Sequence, residues 1–150
     1  MATSSQLYTG TAVRSHSGSR PAIGTVALWV VQVLTAGMFV RAGSVKLTGD
    51  PMMVQFFDAL GPGQWFRYLT GGIEIAAAAL LLVPRAAVFG ALLLVPTMIG
   101  AILSHALIGG SVASAAILLV ASSTIAWFRR GDLAAVLTAI GGTRLAPRTE

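Results

Sequence analysis

No cysteine occurs in the 150 residues. That excludes disulfides, thiol chemistry, iron–sulfur clusters and thioether-linked haem, each of which needs a sulfur as ligand or point of attachment. Charge is almost as scarce: charged residues make up 10% of the chain, against about 25% in an ordinary soluble domain. Hydrophobic types reach 55% and the mean hydropathy is +0.81, so most of the chain is composed for lipid rather than water. No shift in composition marks a second domain. One membrane domain is expected over 21–130, between a disordered cytoplasmic tail at 1–20 and a C-terminal cytoplasmic tail at 131–150.

What charge there is leans basic, with a net +5 and a pI near 11.2. The basic residues flank apolar runs instead of forming a patch with interleaved aromatics, so no nucleic-acid partner is expected. The first run, 22–40, lies between Arg20 and Arg41 and spans about 28 Å as a helix, enough to cross the hydrocarbon core. It is too long for a signal-peptide core, and Leu34 breaks the small-x-small pattern before Gly37. Further runs cover 66–83, ending at Pro84 and Arg85; 86–108, ending at Gly109 and Gly110; and 111–128, ending at Arg129 and Arg130. Pro96 sits too early to end the third run and should kink it, with Thr97 or a neighbouring helix helping to satisfy the freed carbonyl.

Four crossings put both ends of the chain on one side. That side collects Arg14, Arg20, Arg85, Arg129, Arg130, Arg144 and Arg148, leaving Arg41, Lys46 and Arg67 opposite. The excess of basic residues belongs inside, so an inner-membrane, multi-pass protein with both termini cytoplasmic is expected. The expected fold is all-α: a four-transmembrane-helix bundle with a short amphipathic interfacial helix in the first outer loop. That loop reads Asp50-Pro51, then Met53, Phe56, Phe57 and Leu60 at helical spacing, closing at Gly61-Pro62. Asp50 suits the N-cap and Pro51 the first helical position. Such a helix serves either as a lid or as interfacial packing. Trp65, Phe66 and Tyr68 at one end and Trp127 and Phe128 at the other match interfacial aromatic belts. A short apolar stretch at 133–140 in the C-terminal tail suits the interface.

Glu74 is the most informative residue. It falls seven residues after Arg67, about 10 Å into the second run, where a carboxylate must be paired, protonated or hydrated to avoid a cost of a few kcal/mol. Arg41, Lys46 and His105 come from other helices at similar height. Arg41 is the favoured partner, because its fork would offset the cost of a buried carboxylate. Gly37, Arg41 and Ser44 share one helical stripe, as do Thr97, Ala101, Ser104 and His105, and small, polar-edged stripes usually face other helices. Snorkelling to headgroups is the alternative for both Arg41 and Lys46, and for Lys46 an equal one. His105, beside Ser104, suits proton handling or hydrogen bonding. One intramembrane His cannot supply two axial ligands, so no haem and no metal site is expected.

Arg41-Ala42-Gly43-x-x-Lys46-Leu47, then Gly61 and Tyr68, Gly72-x-Glu74 in the run that ends at Pro84, and His105 late in the third run together resemble the DoxX and DoxX-like family. The likeness covers approximately 28–128. It implies a small four-helix membrane protein; the founding member is a subunit of a thiosulfate:quinone oxidoreductase, and other relatives are associated with redox or detoxification assemblies. Arg41, Gly43, Lys46, Glu74 and His105 match motif positions.

Two functions follow as expectations. In one, the chain is a membrane subunit of a redox system, with a quinone as its cofactor. Arg41, Lys46, Glu74 and His105 would bind the headgroup in an outer-side pocket, with Glu74 and His105 as the catalytic, proton-handling pair. Without a flavin or metal motif, electrons would come from a soluble oxidoreductase or another membrane subunit, so the chain is at most part of an enzyme. In the other, it is a non-enzymatic anchor or assembly factor for a partner protein, and Glu74 only fixes the bundle. A proton-coupled transporter is less attractive, because four helices without an inverted repeat leave little for alternating access unless the protein forms a homo-oligomer.

Overall fold

The computed structural model describes residues 23–142, and these fold into six helices with no strand among the described residues. They are α1 (Ile23–Thr48), α2 (Pro51–Leu60), α3 (Gln64–Leu81), α4 (Ala87–Leu107), α5 (Ala113–Phe128) and α6 (Arg130–Gly142). The expected disorder of 1–20 and the end of the C-terminal tail lie outside the described residues. α1, α3, α4 and α5 pack in a ring, each against the next, with α5 returning to α1; α2 lies on α3 and α1, and α6 on α4 and α5.

The helix ends follow local chemistry. Asp50 caps α2 through its Oδ1, which accepts from the Met52 amide at 2.9 Å, and Pro51 follows at the first helical position. Gly61 closes α2 with φ 95°, a left-handed conformation that costs a residue with a Cβ far more. α4 continues through Pro96, and Thr97 Oγ1 donates to the Leu93 carbonyl at 2.8 Å, one residue along from the carbonyl that Pro96 leaves without its amide. α1 runs beyond the apolar stretch to Thr48, so Arg41 and Lys46 are helical rather than part of the outer loop. The C-terminal tail holds a helix across the stretch at 133–140, with Asp132 in its first turn, where a negative charge favours the helix dipole.

The core is apolar, with Phe39, Leu81, Leu94, Met98 and Ile125 inside, but it also takes in polar groups while many large apolar side chains stay outside. Val30, Leu34, Leu92, Ile99, Leu103, Ile117 and Val120 face outward, while Gln32, Thr35, Arg67, Glu74 and Ser122 are buried. On α1 the buried stripe is Gln32, Thr35, Ala36, Phe39 and Gly43. The expected inward stripe of Gly37, Arg41 and Ser44 is corrected: all three are exposed. Polarity alone misplaced it, because the neighbouring stripe holds the residues that can approach α3 closely. A Cβ on Gly43 would stand 2.8 Å from the Gly71 carbonyl oxygen, so α1 and α3 touch backbone to backbone there.

Of the four ring helices, α1 and α4 are long and apolar enough to cross a membrane by length and composition. α5 is apolar but has 16 residues, about 24 Å. α3 has 18 residues, about 27 Å, and carries both Arg67 and Glu74 on its buried face.

Candidate functional site: a charged seam between two helices

The buried face of α3 is Arg67, Gly71, Glu74, Ala77, Ala78 and Leu81, a stripe at spacings of three and four that lies against α1. The sequence places two charges on that stripe, so the helix can bury its apolar face only by burying them as well. Lys46, in the last turn of α1 where a cation also favours the helix dipole, meets Glu74 across the seam. Its Nζ donates to Oε1 at 2.9 Å and to Oε2 at 2.8 Å. The Glu74 side chain is 3% exposed and that of Lys46 17%.

Arg67 is buried too, two stripe positions closer to α2. Its guanidinium donates to the Lys46 carbonyl and, through Nε, to Gln64 Oε1 at 2.6 Å, and it lies 4.2 Å above the centre of the Tyr68 ring. The Lys46 carbonyl is one of the last four of α1 and has no helical donor, which is why a neighbouring guanidinium fits it. Gln64 passes the connection on: its Nε2 donates to Asp58 Oδ1 at 2.6 Å and to the Val54 carbonyl at 3.0 Å, both on α2. One chain of hydrogen bonds thus runs from Asp58 on α2 through Gln64 and Arg67 on α3 to the Lys46 backbone, and Lys46 then holds Glu74. Two buried or half-buried cations face one buried carboxylate, leaving the seam with a net positive charge.

The expected pairing of Arg41 with Glu74 is corrected. Arg41 is exposed and forms no ion pair among the described residues; Lys46 takes that place. The reason is helical phase: Lys46 lies three residues from buried Gly43, on the side of α1 that faces α3, and Arg41 does not. His105 sits near the C-terminal end of α4, its ring centre 4.7 Å from that of Phe56 on α2. Its Nδ1 is buried without a hydrogen-bond partner, and no bond joins it to Glu74. Phe56, Phe57, Phe66 and Trp65 continue as edge-on ring contacts, so aromatic packing covers this end of the ring.

Arg67 and Gln64 were missed as site residues, although one signal existed: a separation of seven puts Arg67 and Glu74 on the same helical face. Chemically, the seam offers N–H donors from two cations and a carboxylate that accepts from Lys46 on both oxygens. Among the described residues no group of three His, Asp or Glu is placed to hold a metal ion.

No curated protein and no solved structure matches the chain. The model of the DoxX-like family matches residues 30–129, which takes in α3, α4, α5, the seam and all but the first turns of α1, and the chain therefore belongs to the DoxX-like family.

Proposed function

We propose that this protein crosses the membrane four times, through α1, α3, α4 and α5, with both termini inside and α2 on the outer surface. α3 supports that reading although it is polar, because Glu74 is paired with Lys46 on α1 and Arg67 is held by the Lys46 carbonyl and Gln64, and its length of about 27 Å nearly matches the hydrocarbon core. The balance of basic residues sets the orientation. At its outer end the seam binds the polar head of a quinone or similar small amphiphile, and the chain serves as the membrane subunit of a redox system whose electrons come from a partner protein.

The observation that carries the reading is the ion pair of Lys46 and Glu74, buried beside Arg67. A buried pair costs desolvation that small apolar residues would avoid, as Gly43 and Gly71 do one turn away, so its presence favours a role in binding. A quinone needs a donor at each carbonyl and a proton route; Lys46 and Arg67 supply donors, Glu74 the proton acceptor, and the buried Nδ1 of His105 a further polar group under α2. The test is mass spectrometry of the lipid extract of mildly solubilised protein, alongside a Glu74→Gln variant. A prenylated quinone carried by the wild type and lost from the variant is expected. Its absence from both proteins, with normal quinone reduction in cells carrying the variant, would overturn the reading.

A second reading, a non-enzymatic anchor or assembly factor, is favoured by one observation: the carboxylate is already satisfied on both oxygens by Lys46. On that reading Glu74→Gln lowers thermal stability and changes no ligand, and a partner protein co-purifies with both forms.

A further inference from the structure

At the end of the ring opposite α2, the surface is grooved. A shallow apolar cleft of about 260 Å³ runs between α1 and α5, lined by Gly24, Ala27, Leu28 and Val31 on one side and Thr124 and Phe128 on the other. It shares Thr124 and Phe128 with a second, more open depression of about 450 Å³ along α5 that begins at Leu119 and ends at Phe128. From 119 to 128 the helix rises about 14 Å, close to one leaflet of a hydrocarbon core of about 30 Å. The only hydroxyls along it are those of Ser123 and Thr124, and Thr124 Oγ1 is spent on the Val120 carbonyl at 2.8 Å.

Two arginines follow directly. Arg129 is engaged: its Nε and Nη2 donate to Gln32 Oε1 at 3.2 and 3.1 Å, and its Nη1 meets Asp132 at 3.5 Å. Arg130 is exposed, packs its guanidinium 4.1 Å from the centre of the Trp127 ring and makes a single hydrogen bond, at 3.4 Å to the Trp127 carbonyl. Its other N–H groups have no partner among the described residues, and the nearby acid, Asp132, is taken up by Arg129. An apolar trough one leaflet long, with a guanidinium held at its mouth by an aromatic ring, matches a phospholipid with an anionic head: acyl chain along α1 and α5, phosphate on Arg130.

We infer that this groove is a binding site for an anionic phospholipid of the inner leaflet. The inference rests on the four-span reading and does not depend on the ligand of the outer seam. The full chain, purified in mild detergent, is titrated with phosphatidylglycerol or phosphatidylcholine and the bound lipid counted by native mass spectrometry. The wild type should retain phosphatidylglycerol in preference, Arg130→Gln should weaken that retention about fivefold, and Ala27→Trp, which fills the cleft, should lower retention of both lipids. Arg85→Gln removes a charge at the same end away from the groove and should behave as wild type. Equal retention of the two lipids by the wild type, or equal loss in the Arg85 and Arg130 variants, overturns the inference. Recovery of the chain in the aqueous fraction without detergent would instead overturn the four-span reading beneath it.

Discussion

Lys46 and Glu74 stand 28 positions apart, on neighbouring helices of the ring, and meet with one ammonium nitrogen 2.8 and 2.9 Å from the two carboxylate oxygens. Each is where it is because of a different local demand, Lys46 in the last turn of α1 and Glu74 on the buried stripe of α3. Their meeting joins the two helices at the end covered by α2.

Breaking this pair from one side should cost more than removing it altogether. Lys46→Met leaves a buried carboxylate without its cation and should destabilise the protein by about 3–5 kcal/mol. The double variant Lys46→Met, Glu74→Leu should recover most of that. Thermal unfolding in detergent, followed by circular dichroism, reads both; additive losses in the double variant would show that the two residues do not interact.

Gln64→Leu should uncouple α2 from the seam. It removes the bonds to Asp58, to the Val54 carbonyl and from Arg67, and leaves the Arg67 Nε without an acceptor, a cost of about 1–3 kcal/mol. Hydrogen exchange should quicken at 51–60 and stay unchanged in α5. Unchanged exchange at 51–60 would mean that the aromatic contacts alone seat α2.

Gln32 ties three elements at the far end of the ring, donating to the Leu81 carbonyl at the end of α3 and accepting from Arg129. Gln32→Leu strands a helix-terminal carbonyl and half-frees a guanidinium, so a loss of about 2–4 kcal/mol is expected. Gln32→Glu keeps an acceptor for Arg129 but loses the donor to Leu81, and should fall between. A stability equal to wild type in Gln32→Leu would show that water replaces both contacts.

Because the chain has no cysteine, single introduced thiols report topology without background. Met52→Cys and Ser111→Cys, both at exposed positions, should react with a membrane-impermeant maleimide in intact cells. Val83→Cys, in the turn between α3 and α4, should react only after lysis. Labelling of all three in intact cells would leave the four-span orientation without support.

Residue type and spacing were enough to place every helix of the ring and α2 with both of its caps, because turn chemistry and apolar run length are local properties. Asp50, Pro51 and Gly61 need no partner from elsewhere in the chain to do their work. That Glu74 needs a partner from another helix was also legible, since a carboxylate inside an apolar run is costly unless paired, and Lys46 meets that need. Which cation reaches Glu74 was not, because that depends on the rotation of α1, and the rotation is decided by the close approach of Gly43 to Gly71 rather than by the charges. The same contact turns Lys46 toward the seam and leaves Arg41 outside. Arg67 became a site residue only through the packing of α1 on α3, for the carbonyl that holds it, that of Lys46, is remote in sequence and close in space, whereas Gln64 reaches back across the short turn to Asp58 on α2.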